Sequence, residues 1–216
     1  WMVAGFVHGV LNTDNMNVSG ESFDYGPWRW LPHWDPAFTA AYFDHSGLYA
    51  YGRQPEALYW NCGQLAIALR LLSDAPPLIA ALERFAPLYE AAMARRFAWR
   101  LGVAAPADSE TARSLIGASQ QAMHTSGMGP DAFFFAHRGG RAVPTGPLAD
   151  ILSRLTPIES DNHPLWSEPA PPSLLIDEVE AIWSAIDAHD DWQPLHDTVA
   201  TIRRLGDALG EPPRPA

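Results

Sequence analysis

The chain reads as mainly α-helical, and three observations carry that reading. Apolar residues recur at steps of three and four through residues 58–93 and again through 179–209. Pro55 suits the first turn of a helix, and Asp108 stands where a cap belongs. Gly139-Gly140 supplies a stop at the end of a further stretch.

Taken in order, residues 1–27 form a motif-bearing loop region, and Trp28 to Gly52 is an irregular stretch rich in aromatics, prolines and glycines. Asp35-Pro36 and Asp44-His45-Ser46-Gly47 are turn signals there, with one short helix expected from Pro36 to Tyr42. A long helix follows from Pro55, with Leu58, Cys62, Leu65, Leu69 and Leu72 as a stripe buried along one face, ended by Asp74-Ala75-Pro76-Pro77. The next runs from Leu78 to about Leu101, kinked at Pro87, and pairs antiparallel with the first. A third helix extends from the Asp108 cap through Leu115 to Met123, and a fourth covers Pro130 to His137. Residues 160–173, with Pro164, Pro169, Pro171 and Pro172, read as an extended connection. Two amphipathic helices close the chain, Ile176 to Ile186 and Pro194 to Leu209. The expected organisation is residues 1–160 as one lobe, with the connector and helical pair of 161–216 packed on the same domain.

Composition narrows the function classes. At 216 residues, 47% hydrophobic and 18% charged, the chain has the balance of a globular domain with a sizeable core. A formal charge of −11 opposes nonspecific attraction to nucleic acid or an anionic membrane, because both demand clustered positive charge. No run of eighteen apolar residues is present, so no membrane partner is expected. One cysteine, Cys62, cannot form an internal disulfide and fits a reducing, cytoplasmic setting; at its helical spacing it reads as a core residue.

The chemistry concentrates in His8-Gly9-Val10-Leu11-Asn12-Thr13-Asp14-Asn15, followed nine residues later by Asp24-Tyr25-Gly26. Magnesium takes hard oxygen ligands and recruits one or two carboxylates together with phosphate oxygens. Asp24 and the amide oxygen of Asn15 meet that need. Asp14 is left to act as a general base on a hydroxyl or to hold a second ion, and Gly26 permits a sharp turn after the carboxylate. Protein kinases order the same parts as His-x-Asp, an Asn five residues after that Asp, and Asp-Phe-Gly. Here His8 and Asn15 fall on the kinase positions, but the catalytic aspartate position is Val10, which cannot accept a proton.

A longer block then specifies a family. Gly5 to Met16, Phe23-Asp24-Tyr25-Gly26-Pro27, Gln54-Pro55, Trp60-Asn61 and Leu65-Ala66 closely resemble the selenoprotein O (YdiU) family over roughly residues 5–72. The resemblance implies a protein-kinase-like large (C-terminal) lobe with an additional C-terminal helical segment. It also implies an enzyme that transfers AMP from ATP to protein Ser, Thr or Tyr hydroxyls, a pseudokinase by its missing aspartate. On that basis Asp14 is the catalytic base, Asn15 and Asp24 are the magnesium ligands, with manganese as the alternative ion, and Asp24 also contacts the ATP. The family's small lobe contributes a glycine-rich turn and a paired lysine. This chain opens at Trp1, seven residues before the loop, and all fourteen of its Lys or Arg residues are arginine. It is therefore expected to be the C-terminal part of a longer protein. Two other readings stand beside the adenylyltransferase: a kinase-like phosphotransferase, and a catalytically inactive helical module that only binds.

Other constellations have plainer explanations. His8 reads as a bracing residue of the loop. His33, Asp35, Asp44 and His45 match no zinc spacing. Arg138-Gly139-Gly140-Arg141 lacks the strand and lysine of a phosphate loop and reads as a helix stop. The nine tryptophans read as packing residues, with Trp28, Trp30 and Trp34 placed to line a groove.

Overall fold

The structure is a computed structural model that describes residues 1–138, 141–142, 145–158 and 163–213. It is mainly helical, and its two compact units are Trp1–Leu31 with Asp35–Ala91, and Pro32–Trp34 with Ala92–Ala216. The boundary expected at 160/161 and the Gly139-Gly140 stop lie outside the described residues.

The first unit opens with a minimal antiparallel ribbon, β1 (Phe6–Val7) and β2 (Arg29–Trp30), in the register Phe6 opposite Trp30 and Val7 opposite Arg29. Aromatic contacts fix it: the Phe6 ring meets Trp30 edge-on at 5.2 Å and Tyr25 at 6.2 Å. Residues 36–42 are turns and bends, where a short helix was expected. The Asp35 carboxylate takes the Ala37 N–H at 2.8 Å, so local side-chain capping outcompetes helix nucleation there.

Helix α1 (Gln54–Ala68) begins with Pro55 in its first turn and decays into a 3-10 turn over Leu69–Leu71. The deepest residues of α1 are polar, Gln54 and Asn61, whereas Leu65 is 40% and Leu72, just beyond it, 85% exposed. That overturns the expectation of a buried leucine stripe. The face turned inward meets loop backbone, which needs donors and acceptors rather than methyl groups.

The proline pair expected to end that helix instead opens the next. α2 (Ala75–Glu83) places Pro76 and Pro77 in its first turn, where a missing N–H costs nothing. The single kinked helix expected to Leu101 is two helices, broken at Arg84, with α3 covering Phe85–Leu101. Pro87 falls in the first turn of α3, so it needs no kink. Phe85 packs on Tyr59 of α1 at 5.4 Å.

In the second unit, α4 (Ser109–Ser126) is capped by Asp108, whose carboxylate accepts the Thr111 N–H at 2.7 Å, and ends on Gly127 at φ 69°. α5 (Pro130–His137) buries Phe133, Phe134 and Phe135, with Phe97 of α3 against Phe134 at 5.3 Å. α6 (Pro147–Leu152) packs along α4. The connection expected to be extended contains a 3-10 turn, Pro164–Ser167, because His163 caps it through Leu165 N–H and because Leu165 and Trp166 are buried. α7 (Ile176–His189) runs one turn beyond its expected end, and α8 (Gln193–Leu209) lays Leu205 and Leu209 against Phe135, Leu165 and Trp166.

Candidate active site

All of the motif residues lie in the first unit. Directly after β1 the chain turns at Gly9, with φ +87°, and a Cβ there would stand 2.7 Å from the Pro27 ring. Gly26, with φ +57°, is packed as tightly, since its Cβ would fall 2.5 Å from the His8 carbonyl oxygen. The two halves of the motif thus touch through positions that only glycine fits.

His8 is fully buried and ties the halves together. Its Nδ1 accepts the Val10 N–H at 3.3 Å, which places the ring proton on Nε2, where it is donated to the Asp24 carbonyl at 3.0 Å. The Asp24 carboxylate lies 3.5 Å from the same nitrogen. Burial pulls the His8 pKa below its ordinary value, against the opposing pull of the Asp24 hydrogen bond and charge, so the ring is neutral. The histidine is a brace.

Val10, at the kinase aspartate position, contributes backbone: its carbonyl accepts the Asn15 Nδ2–H at 2.9 Å. That bond orients the Asn15 amide and leaves Oδ1 as its remaining polar atom. Asp24 Oδ1 accepts the Gly26 N–H at 2.7 Å, closing the turn and leaving Oδ2. Asp14 sits in a 3-10 turn, Thr13–Asn15, exposed to solvent and without a side-chain hydrogen bond or ion pair among the described residues. Asn15 Oδ1, Asp24 Oδ2 and the Asp14 carboxylate are thus the side-chain oxygens that these bonds leave open, a chemistry that fits a hard ion such as magnesium. Among the described residues no group of three or more His, Cys, Asp or Glu side chains is placed to hold a metal ion, His33, Asp35, Asp44 and His45 included. Asp44 instead takes the Leu48 and Tyr49 N–H groups, each at 2.8 Å.

Sequence reasoning gave no role to the residues that hold this loop. Gln54, fully buried, accepts the His8 N–H at 2.9 Å and donates to the Phe6 carbonyl at 2.8 Å. Two turns on, Asn61 donates to the Leu11 carbonyl at 2.7 Å. The Tyr49 hydroxyl donates to Asn12 Oδ1. The signal was present in the dipeptides Gln54-Pro55 and Trp60-Asn61, which belong to the block that resembles the family.

The model of the family described as protein adenylyltransferase SelO matches residues 1–141. The chain belongs to the SelO/YdiU family. A relative named protein nucleotidyltransferase YdiU from Synechocystis sp. is 33% identical over 94% of this chain and 48% of its own length. Another YdiU, from Trichodesmium erythraeum, is 34% identical over 94% of the chain and 47% of its own length. A YdiU from Xanthomonas campestris reaches 46% identity over 51% of the chain and 22% of its own length. The chain thus spans about half the length of the YdiU relatives it matches most extensively. No helix among the described residues is long and apolar enough to cross a membrane.

Proposed function

We propose that this SelO/YdiU chain carries the base and metal-binding loop, on a kinase-like large lobe, of a magnesium-dependent enzyme that transfers AMP from ATP to protein Ser, Thr or Tyr hydroxyls. The observation that carries the reading is Asp14, exposed and unengaged, directly beside Asn15, whose amide is fixed by the Val10 carbonyl. Asp14 accepts the proton of the attacking hydroxyl as its oxygen bonds to the α-phosphorus and the bridge to the β-phosphate breaks, releasing pyrophosphate. Asn15 and Asp24 are the residues that would hold magnesium. When bound, the ion neutralises phosphate charge and the departing pyrophosphate. His8, Gln54 and Gly26 position these groups by fixing the loop before substrate arrives. Val10 argues against the kinase alternative, since no carboxylate stands at that position.

The test is thermal stability of the chain titrated with ATP, with and without magnesium. A magnesium-dependent rise that disappears in Asp24→Ala is expected. No rise at millimolar ATP, or one indifferent to magnesium, would overturn the metal assignment. Radiolabel in the α-phosphate rather than the γ-phosphate of ATP should appear on protein wherever transfer occurs, and the reverse would select the kinase reading.

A further inference from the structure

Beside the loop lies a pocket of about 240 Å³, formed by the loop itself, the 48–49 segment and the first two turns of α1. Its walls include Leu11, Leu48, Ala57 and Trp60. Leu48 and Trp60 are large apolar side chains left 48% and 57% exposed there. Apart from the Asn12 amide nitrogen, the polar side chains on the rim already have partners. Arg53 binds Glu56 with two nitrogens at 3.0 and 3.2 Å, and Asn12 Oδ1 receives the Tyr49 hydroxyl. A ligand entering the pocket therefore finds apolar contact and few unmet polar partners, so its fitting part is hydrocarbon rather than phosphate or sugar.

The walls are stiff and share their supports with the candidate site. Asn61 holds the Leu11 carbonyl from the residue after Trp60, Asp44 holds the Tyr49 N–H, and the Asn12 backbone carbonyl accepts the Asn15 N–H at 3.1 Å, opening the turn that bears Asp14. Continuity with that turn identifies the occupant. We propose that the pocket receives one aromatic or long aliphatic side chain of the acceptor protein, close in sequence to the hydroxyl presented to Asp14. This inference rests on the reading of Asp14 as the base for the identity of its occupant, while the pocket itself does not depend on ATP.

The probe is a capped, uncharged pentapeptide with one serine and one phenylalanine, compared by titration calorimetry with the same peptide carrying glycine in place of the phenylalanine. Burying the ring should make the first bind about tenfold more tightly or better. Trp60→Ala and Ala57→Leu, the second filling the pocket from its wall, should abolish that preference. Trp192→Ala, an exposed tryptophan on the other compact unit, should leave it intact. Equal affinity for the two peptides, a preference that survives Ala57→Leu, or displacement of the phenylalanine peptide by ATP would each overturn the proposal. Asp24→Ala separates the two readings: it should lose the magnesium–ATP response while keeping the peptide preference.

Discussion

Gly26 and His8 are packed so closely that a single methyl group at residue 26 would lie 2.5 Å from the His8 carbonyl oxygen and 2.8 Å from its Nδ1. Because φ at Gly26 is +57°, Gly26→Ala meets backbone strain and a backbone clash together, and should cost about 1–3 kcal/mol or more. Gly20→Ala, also at positive φ but with nothing within 4 Å, isolates the strain alone. Urea denaturation of the two variants should rank Gly26→Ala clearly lower, and equal losses would mean that the contact with His8 carries no weight.

Gln54 satisfies two buried backbone groups with one side chain. Gln54→Leu keeps the volume but orphans the His8 N–H and the Phe6 carbonyl, at roughly 1–3 kcal/mol each. Gln54→Glu can still accept from His8, but it must either bury a charge against the Phe6 carbonyl or stay protonated to donate to it, so its denaturant midpoint should fall as pH rises. A leucine variant as stable as wild type would contradict the clamp.

Alkaline pH offers a third test. Burial pushes the Tyr89 phenol up to about 12, and burial, with Tyr89 adding, pushes Tyr51 up as well. The folded chain therefore retains protons that the unfolded chain releases above its ordinary value of 10.0, so stability is full below that pH and falls as pH rises toward 12. With no lysine in the sequence, no ammonium titration overlaps this range. Tyr89→Phe should flatten the fall in thermal midpoint between pH 10 and 12.

Arg100 joins two elements of the second unit: it meets Asp131 at 2.8 Å and lies over the Phe134 ring at 4.8 Å. Arg100→Lys keeps the charge but loses the planar stacking, and should cost about 1 kcal/mol by chemical denaturation. Arg100→Met should cost more, because it also leaves the partly buried Asp131 without its partner.

The turns of the loop are legible because part of their information is local, in the glycines at 9 and 26 and the Asp24 carboxylate that closes onto Gly26 N–H. The clamps from Gln54, Asn61 and Tyr49 are not, because they reach across 37 to 50 residues of chain. The C-terminal helices, like the turns, are legible from local information: Val179, Ile182 and Ile186, and Leu195, Val199 and Ile202, repeat at helical spacing and lie half-buried. Spacing misleads in α1, where the leucine stripe has the right period yet the inward face belongs to Gln54 and Asn61. Periodicity cannot reveal that the surface opposite is bare backbone. It also cannot separate one kinked helix from two, because the step from Leu82 to Phe85 keeps its rhythm across the break at Arg84.

The spacing of Gln54 and Asn61 has a metric consequence. Seven residues of helix rise about 10.5 Å, and the segment from His8 to Leu11, which turns at Gly9, is riveted to that span at both ends. A residue inserted between positions 8 and 11 would slacken the loop, and one deleted there would pull it off a rivet. Length variation should accordingly be tolerated after Asn15, in the exposed stretch before Asp24, and be excluded from the four residues that α1 measures out.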